Sequence, residues 1–214
     1  MRTCLNVPSP RPKLSVLRAA RDGDAGFSLV EMMATMIIIV TLAAFILPFT
    51  RTTLNAMNLS SDARNLSSAT GLAKMRAAAF FTKARVYVDL GAKTFRVERW
   101  RKTAPIGWVT EGVTTSLSGT VNFGFAGLAA PPPNTQAVIA QATPCLDNAG
   151  AVIANTGCVV FNSRGVPVDT LNAPTAAGAY YLSDGATVYG ITVGAGGRIQ
   201  LWQSNIISNT WSLR

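Results

Sequence analysis

The chain carries one kind of hydrophobic pattern up to about residue 83 and a different kind after it. From Met32 to Thr50 no residue is charged and most are apolar. As a helix, this run would be about 28 Å long, close to the roughly 30 Å hydrocarbon core of a membrane. We therefore predict a membrane-spanning helix over residues 27–50. A secretory signal peptide is the alternative, although its apolar run is usually only about 7 to 15 residues long.

A second helical pattern follows this run. Apolar residues recur at spacings of three or four, which places them on one face of a helix. These residues are Leu54, Met57, Ala63, Leu66, Ala69, Ala73, Ala77 and Phe80. We predict an amphipathic continuation of the helix over residues 51–83. Pro48 lacks a backbone N–H and clashes with the preceding turn, so we expect a helix kink there.

After Lys83 the pattern changes to alternation. The stretches ARVYVDL and TFRVERW, separated by GAK, predict a β-hairpin. Further β-rich runs are TVNFGF, CVVFNS, AYYLS, TVYGITV and GRIQLW. The short turns SRGVP and SDGA favour antiparallel pairing, and residues 126–144 read as a surface loop. The predicted fold class is α+β: a long N-terminal helix, its first half transmembrane, packed against an antiparallel β domain over residues 84–214.

Charge and cysteine positions predict the orientation of the chain. Residues 1–26 form a basic leader, and positive flanks favour the cytoplasmic side, so the C-terminal part should lie outside. Cys145 and Cys158 fall in that external part, where a disulfide between them would contribute about 3 kcal/mol. Two free buried thiols are the alternative, because the sequence does not show that the two residues are close.

The stretch GFSLVEMM, residues 26–33, follows the basic leader and opens the apolar helix. It resembles the class III signal of type IV pilins and type II secretion pseudopilins. The resemblance implies that a prepilin peptidase removes residues 1–26 by cutting between Gly26 and Phe27. Phe27 then becomes the N-methylated terminus, and Pro48 matches a position where pilin helices often kink.

The same resemblance gives Glu31 a role in assembly. It implies that this carboxylate pairs with the terminal amine of a neighbouring subunit in the filament. A charge at the head of an apolar helix is costly in apolar surroundings, and a cation would offset that cost. A simpler role is a favourable interaction with the N-terminal end of the helix dipole, which is compatible with the first.

Short stretches of the C-terminal region extend the resemblance. A Trp after the first hairpin, Trp100 or Trp108, with VVFNSRGVP and YGITVGAGGRIQLW, is similar to the GspH/FimT-like minor pilins. This implies a pilin fold and a structural subunit near the tip of a type II secretion pseudopilus or a type IV pilus. The implied partners are other pilin subunits, the prepilin peptidase, an inner-membrane assembly platform and the membrane. Before assembly the chain would span the bacterial inner membrane once, with its C-terminal domain periplasmic.

Catalysis is disfavoured by composition. The chain has no histidine, which excludes His-based triads and imidazole acid–base chemistry. We also find neither a P-loop nor a GxSxG motif, so we predict no enzyme activity, no cofactor and no metal site.

Nucleic-acid binding is the functional alternative. The net charge is +9, and most basic residues after the leader lie between residues 51 and 102, interleaved with Phe95 and Trp100. Such a basic stripe could attract phosphates, or it could be a solvated or subunit-contacting face. The candidate DNA contacts are Arg96, Arg99, Arg101, Lys102 and Arg198. Arg198 lies in Gly-Arg-Ile-Gln, which lacks the second arginine of the Gly-Arg-x-Arg motif in DNA-binding FimT-like proteins.

Overall fold

A long helix opens the described part of the chain. The structure, a computed structural model, describes residues 27–214, without the side chains of residues 45–49. Helix α1 runs from Leu29 to Ala79, and the chain divides into two compact units within it, between residues 45 and 46. The leader, including Gly26, lies outside the described residues. The predicted helix is confirmed, although it ends before Lys83.

A Schellman motif ends α1. The amide of Phe81 donates to the carbonyl of Ala78 at 3.2 Å, and the amide of Thr82 donates to that of Ala77 at 3.1 Å. This motif needs a left-handed residue at its turn, usually glycine. Here the position is held by Phe81, whose φ is +47°. The helix therefore stops at a local turn that the apolar periodicity did not predict.

The remainder of the described chain contains ten strands in two antiparallel sheets. The first sheet has the order β3-β2-β1-β5-β6 and the second the order β10-β9-β8-β7-β4. In chain order the strands are β1 (Ala84–Asp89), β2 (Thr94–Arg101), β3 (Gly107–Ser116), β4 (Asn122–Phe123), β5 (Thr156–Phe161), β6 (Pro167–Val168), β7 (Gly178–Ser183), β8 (Thr187–Val193), β9 (Ile199–Asn205) and β10 (Trp211–Leu213).

The α+β class and the antiparallel sheets confirm the sequence prediction. The β1–β2 hairpin has the register in which Val86 faces Val97, and the SRGVP and SDGA turns join β5 to β6 and β7 to β8. TVNFGF was predicted as a strand but contributes only Asn122 and Phe123. Strand β3 was missed, because its outer half is exposed and rich in threonine and glycine.

One hydrophobic core joins the helix to both sheets. Helix residues Leu59, Ala63, Leu66, Ala73 and Ala77 are fully buried in it. They pack with strand residues of the first sheet, including Val86 and Phe161, and of the second sheet, including Tyr180 and Ile191.

The apolar stripe predicted along the helix is partly wrong. Leu54, Met57 and Phe80 are exposed. The reason is that the buried positions of α1 begin at Leu59 and end at Ala77, so the sheets cover only that part of the helix.

The connection over residues 126–144 is irregular, as predicted, but it does not lie wholly on the surface. Leu128 and Ile139 are buried in a second apolar cluster with Tyr181 and Val188. The loop therefore covers part of the second sheet and shields apolar surface from water.

A buried tyrosine links the two sheets. The hydroxyl of Tyr180, on β7, donates to the carbonyl of Val86 at 2.9 Å and accepts from the amide of Val159 at 2.8 Å. Both partners belong to the first sheet. Because buried polar groups need hydrogen bonds, this hydroxyl fixes how β7 packs against β1 and β5.

Candidate functional site

The first turn of α1 holds the residues that the sequence associates with assembly. Ser28 precedes the helix, and its hydroxyl accepts from the amide of Val30 at 3.3 Å. Glu31 lies in the first helical turn, and the Ser28-x-x-Glu31 spacing is that of a capping box. Phe27 and Glu31 are both exposed. Both side chains are therefore accessible to another molecule, and the Glu31 carboxylate is also well placed for the helix dipole.

An apolar surface follows Glu31 along the helix. Leu29, Met36 and Ile39 have more than half of their surface exposed, as do most of the large apolar residues up to residue 42. Contiguous exposed apolar surface of this kind marks a site of contact with protein or lipid.

Within the part of the chain that is described, no helix is both long enough and apolar enough to cross a membrane. The membrane-spanning helix predicted over residues 27–50 is therefore not confirmed by the structure. Pro48 lies inside α1, and the kink predicted there stays a prediction.

Cys145 and Cys158 form a disulfide, with their Cα atoms 5.0 Å apart. It confirms the pairing that the sequence left open. The bond ties the end of the long irregular connection to β5, and both cysteines are buried with Tyr87. The disulfide adds to the backbone hydrogen bond from the Cys158 amide to the Thr143 carbonyl, at 2.8 Å, which also joins this connection to β5.

Three arginines of the basic stripe, Arg85, Arg96 and Arg99, are paired with carboxylates. Arg85 is 3% exposed and Glu98 is 4% exposed, and the guanidinium donates to Glu98 Oε2 through Nε at 2.7 Å and Nη2 at 2.6 Å. Arg96 donates to the other oxygen, Glu98 Oε1, at 2.7 Å. Burial lowers the pKa of Arg85, and the Glu98 carboxylate opposes that effect. Glu98 is thus shared by two arginines.

A second carboxylate forms ion pairs on the other face of this sheet. Glu111, on β3, pairs with Arg99 at 2.5 Å and with Arg76 of the helix at 3.3 Å. Both guanidinium groups also lie over the ring of Phe80. This pairing fastens the end of α1 to the edge of the first sheet.

The other candidate DNA contacts are dispersed. Arg101 donates to the carbonyl of Pro105 at 2.7 Å, and Lys102 donates to the carbonyl of Phe81 at 2.6 Å. Arg198 is exposed near the start of β9, in the second sheet. The structure therefore does not bring the five candidates together on one surface, and it pairs Arg96 and Arg99 with acidic groups.

The first part of α1 lies within a segment that matches a known family model. Residues 21–47 match the family model described as the prokaryotic N-terminal methylation motif. The matched segment contains the Gly26–Phe27 junction and Glu31. The chain carries a prokaryotic N-terminal methylation motif. The Ser28 cap, Glu31 and the exposed apolar surface that follows them all lie within the matched segment.

Solved structures give a weaker similarity. The minor pseudopilin EpsH from the type 2 secretion system of Vibrio cholerae has 14% sequence identity and a TM-score of 0.41, covering 67% of this chain and 94% of that one. A crystal structure of the same protein gives equal values, with 92% of that chain covered. No curated protein sequence matches the chain significantly.

Sequence reasoning missed two features outside the methylation motif. The carboxylates that neutralise Arg85 and Arg99 could not be recognised from the sequence, because Glu98 and Glu111 lie on neighbouring strands and are distant in sequence from these arginines. The exposed, left-handed Phe81 was also missed. The sequence gives no signal for it, because a left-handed turn at the end of a helix is normally marked by glycine or asparagine.

Proposed function

We propose that this chain is a structural filament subunit, a minor pilin or pseudopilin of the GspH/FimT-like type, and not an enzyme. The observation that carries the proposal is the match of residues 21–47 to the methylation motif. A prepilin peptidase would remove residues 1–26 and methylate Phe27. The subunit would then enter a type II secretion pseudopilus or a type IV pilus near its tip.

The chemistry of assembly follows from the first turn of the helix. The apolar residues after Glu31 are exposed and would be covered when subunits pack together. That packing would also surround the Glu31 carboxylate with apolar groups, where an unpaired charge is costly. The amine of Phe27 on a neighbouring subunit would supply the cation. An uncut leader would leave no amine at that position.

Before assembly, the subunit would span the inner membrane once, with its N-terminus cytoplasmic and the β domain periplasmic. The disulfide supports this location, because such bonds persist in oxidising compartments. The inner-membrane assembly platform would then move the subunit into the filament.

Mass spectrometry of the mature N-terminus tests the processing step. When the chain is co-expressed with a prepilin peptidase, we expect an N-terminal peptide that begins with methylated Phe27. Gly26→Val should block cleavage, because a branched side chain at the junction would hinder the peptidase. Gly23→Val makes the same change inside the leader and should be cut normally. A mature chain that retains residues 1–26 would refute the processing step.

Incorporation into filaments tests the role of Glu31. Glu31→Gln keeps the shape of the side chain but removes its charge, so we expect the subunit to reach the membrane and to be depleted from sheared filaments. Glu111→Gln makes the same chemical change on β3 and should be incorporated normally. Equal incorporation of both variants would show that Glu31 does not act through its charge.

A further inference from the structure

A cavity of about 90 Å³ lies beside β1 and β5, where the irregular connection and the residues after β6 approach these strands. We call it the Arg85 cavity. Its inner wall includes Arg85, Trp108, Cys158 and Val168, and its mouth includes the exposed residues Lys83 and Asp169. None of the residues that line it belongs to the methylation motif, so its properties do not depend on the proposed assembly function.

Arg85 brings unused hydrogen-bond donors to this cavity. A guanidinium has five N–H donors. Glu98 accepts from Nε and Nη2, and the carbonyl of Leu146 accepts from Nη1 at 2.6 Å. Within the described part of the chain, these three contacts leave one donor on Nη1 and one on Nη2 without an acceptor. Nη1 and Nη2 form the outer edge of the guanidinium, and such an edge can hold both oxygens of a carboxylate.

The burial of Arg85 makes unpaired donors costly. The residue is only 3% exposed, and burial lowers the pKa of its guanidinium. Glu98 does not belong to Arg85 alone, because Arg96 Nε lies 2.7 Å from its second oxygen. A buried cation with spare donors and a shared counter-ion favours an anionic ligand.

The donor edge is held in place by the sheet. The Arg85 guanidinium lies 3.9 Å from the ring centroid of Trp108, on β3. That ring packs edge-on against Trp100, with centroids 5.2 Å apart and planes at 77°. Because these contacts and Glu98 fix the guanidinium before a ligand arrives, binding would not require the side chain to be ordered.

The mouth of the cavity adds a second cation. None of the ion pairs among the described residues involves Lys83. Asp169 also lies at the mouth, but its Oδ1 accepts from the amides of Leu171 and Ala173, at 2.9 Å each, within its own turn. The Arg85 edge and the Lys83 ammonium therefore make this end of the cavity attractive to an anion.

A mostly apolar groove leads away from the Arg85 cavity. A second cavity, of about 40 Å³, shares Cys158, Val160 and Val168 with the first and extends to Ala177 and Gly178. The two cavities are therefore parts of one groove, with its cationic end at Arg85. A groove of this form suits an extended chain that carries a negative charge at its end.

We propose that this groove binds the C-terminus of another polypeptide, with the terminal carboxylate on the outer edge of Arg85 and beside Lys83. The last aliphatic side chain would lie against Val160 and Val168. A carboxylate matches two parallel N–H donors, and a free C-terminus is the carboxylate that continues directly into an extended backbone. Capture of a terminal carboxylate is an established mode of peptide recognition in proteins.

Nuclear magnetic resonance tests the proposal with the ligand as the variable. The full ¹⁵N-labelled chain, in a nonionic detergent, is titrated with acetyl-Ala-Ala-Val that ends in a carboxylate or in a carboxamide. The carboxylate peptide should shift the indole signal of Trp108, which contacts Arg85, and not that of Trp202, which donates to Thr192 in the second sheet. The carboxamide should bind at least tenfold more weakly, because it has no charge and only one acceptor oxygen. The protein is the same in both titrations, so a folding defect cannot cause the difference.

Protein variants locate the contact. Arg85→Lys keeps the positive charge but removes the paired donors, so the carboxylate peptide should bind at least tenfold more weakly. Lys83→Gln should weaken binding by up to about fivefold, the effect of an exposed ion pair. Lys93→Gln makes the same change outside the groove and should bind like the parent chain. An unchanged Trp202 signal would show that each variant is folded.

Several results would overturn the proposal. Equal binding of the two peptides would exclude recognition of the carboxylate. Propionate that binds as tightly as the carboxylate peptide would show that the groove holds no peptide chain, and an equal response to inorganic phosphate would show a general anion site. A Trp108 signal that stays unshifted at millimolar peptide, or an effect of Lys93→Gln as large as that of Lys83→Gln, would also refute it.

Discussion

Replacing Glu98 by leucine should strongly destabilise the β domain, because Arg85 would keep its charge in a buried position. The two side chains are almost fully enclosed, at 4% and 6% exposed, and the guanidinium loses two charge-assisted hydrogen bonds to the carboxylate. Removing one partner of a buried pair typically costs about 3 to 5 kcal/mol. That is a large part of the roughly 5 to 15 kcal/mol that stabilises a domain of ordinary size.

Urea unfolding of residues 51–214, followed by tryptophan fluorescence, measures the loss. With a slope of about 2 kcal/mol per molar urea, a loss of 4 kcal/mol lowers the midpoint by about 2 M. Trp108 is a suitable probe because it contacts Arg85 directly.

Two further variants separate charge burial from other effects. Glu111→Leu also removes a carboxylate that serves two arginines, but its partners Arg76 and Arg99 reach solvent, so we expect a loss of about 1 kcal/mol or less. Replacing Arg85 and Glu98 together by leucine leaves no buried charge unpaired. It should cost far less than the sum of the two single changes.

A cost of less than about 1 kcal/mol for Glu98→Leu would contradict this prediction, since a buried arginine could then lose its partner with little loss of stability. A double variant as unstable as the sum of the single variants predicts would contradict it as well. That outcome would mean that the two side chains contribute independently, through packing rather than through their charges.

Three other changes test separate parts of the structure. Replacing Cys145 and Cys158 by serine should lower the free energy of unfolding by about 3 kcal/mol, because the disulfide joins residues with a sequence separation of 13; an unchanged urea midpoint would contradict this. Gly197→Ala should cost about 2 kcal/mol or more in the same assay, since the residue has a φ of +77° and a Cβ would overlap a backbone carbonyl; a variant as stable as the parent would show that this turn can rearrange. Burial raises the pKa of Tyr180, so its contribution to stability is complete below the ordinary tyrosine pKa of about 10 and is lost as the pH rises through the higher folded-state pKa. Stability should therefore fall above about pH 10, and less steeply in Tyr180→Phe; equal slopes would exclude this tyrosine as the cause.

Local patterns in the sequence were sufficient for several elements. The β1–β2 hairpin could be predicted because alternation and a turn-prone GAK lie within one short stretch. The methylation motif could be recognised because its parts, the Gly26–Phe27 junction, Glu31 and the apolar run, are adjacent in the chain. These features depend on neighbours within a few residues, which a sequence displays directly.

The cysteine pair shows where local reasoning becomes conditional. Spacing and compartment made a bond between Cys145 and Cys158 plausible, but a disulfide needs Cα atoms within about 7 Å. The fold supplies that closeness by placing the irregular connection against β5, at a Cα separation of 5.0 Å.

Tertiary structure alone decided how the charged and exposed residues behave. The sequence shows a basic stripe with few acids nearby, yet strand register sets Glu98 opposite Arg85, and β3 carries Glu111 to Arg99. Strand β3 itself is exposed and gives little alternation, so its place beside β2 depends on pairing rather than on pattern. Register joins residues that are far apart in sequence, and the energy of a buried charge depends on those neighbours. The sequence by itself therefore determined the long helix, most of the strands and the N-terminal motif, whereas the fold decided where β3 pairs and which charges are neutralised.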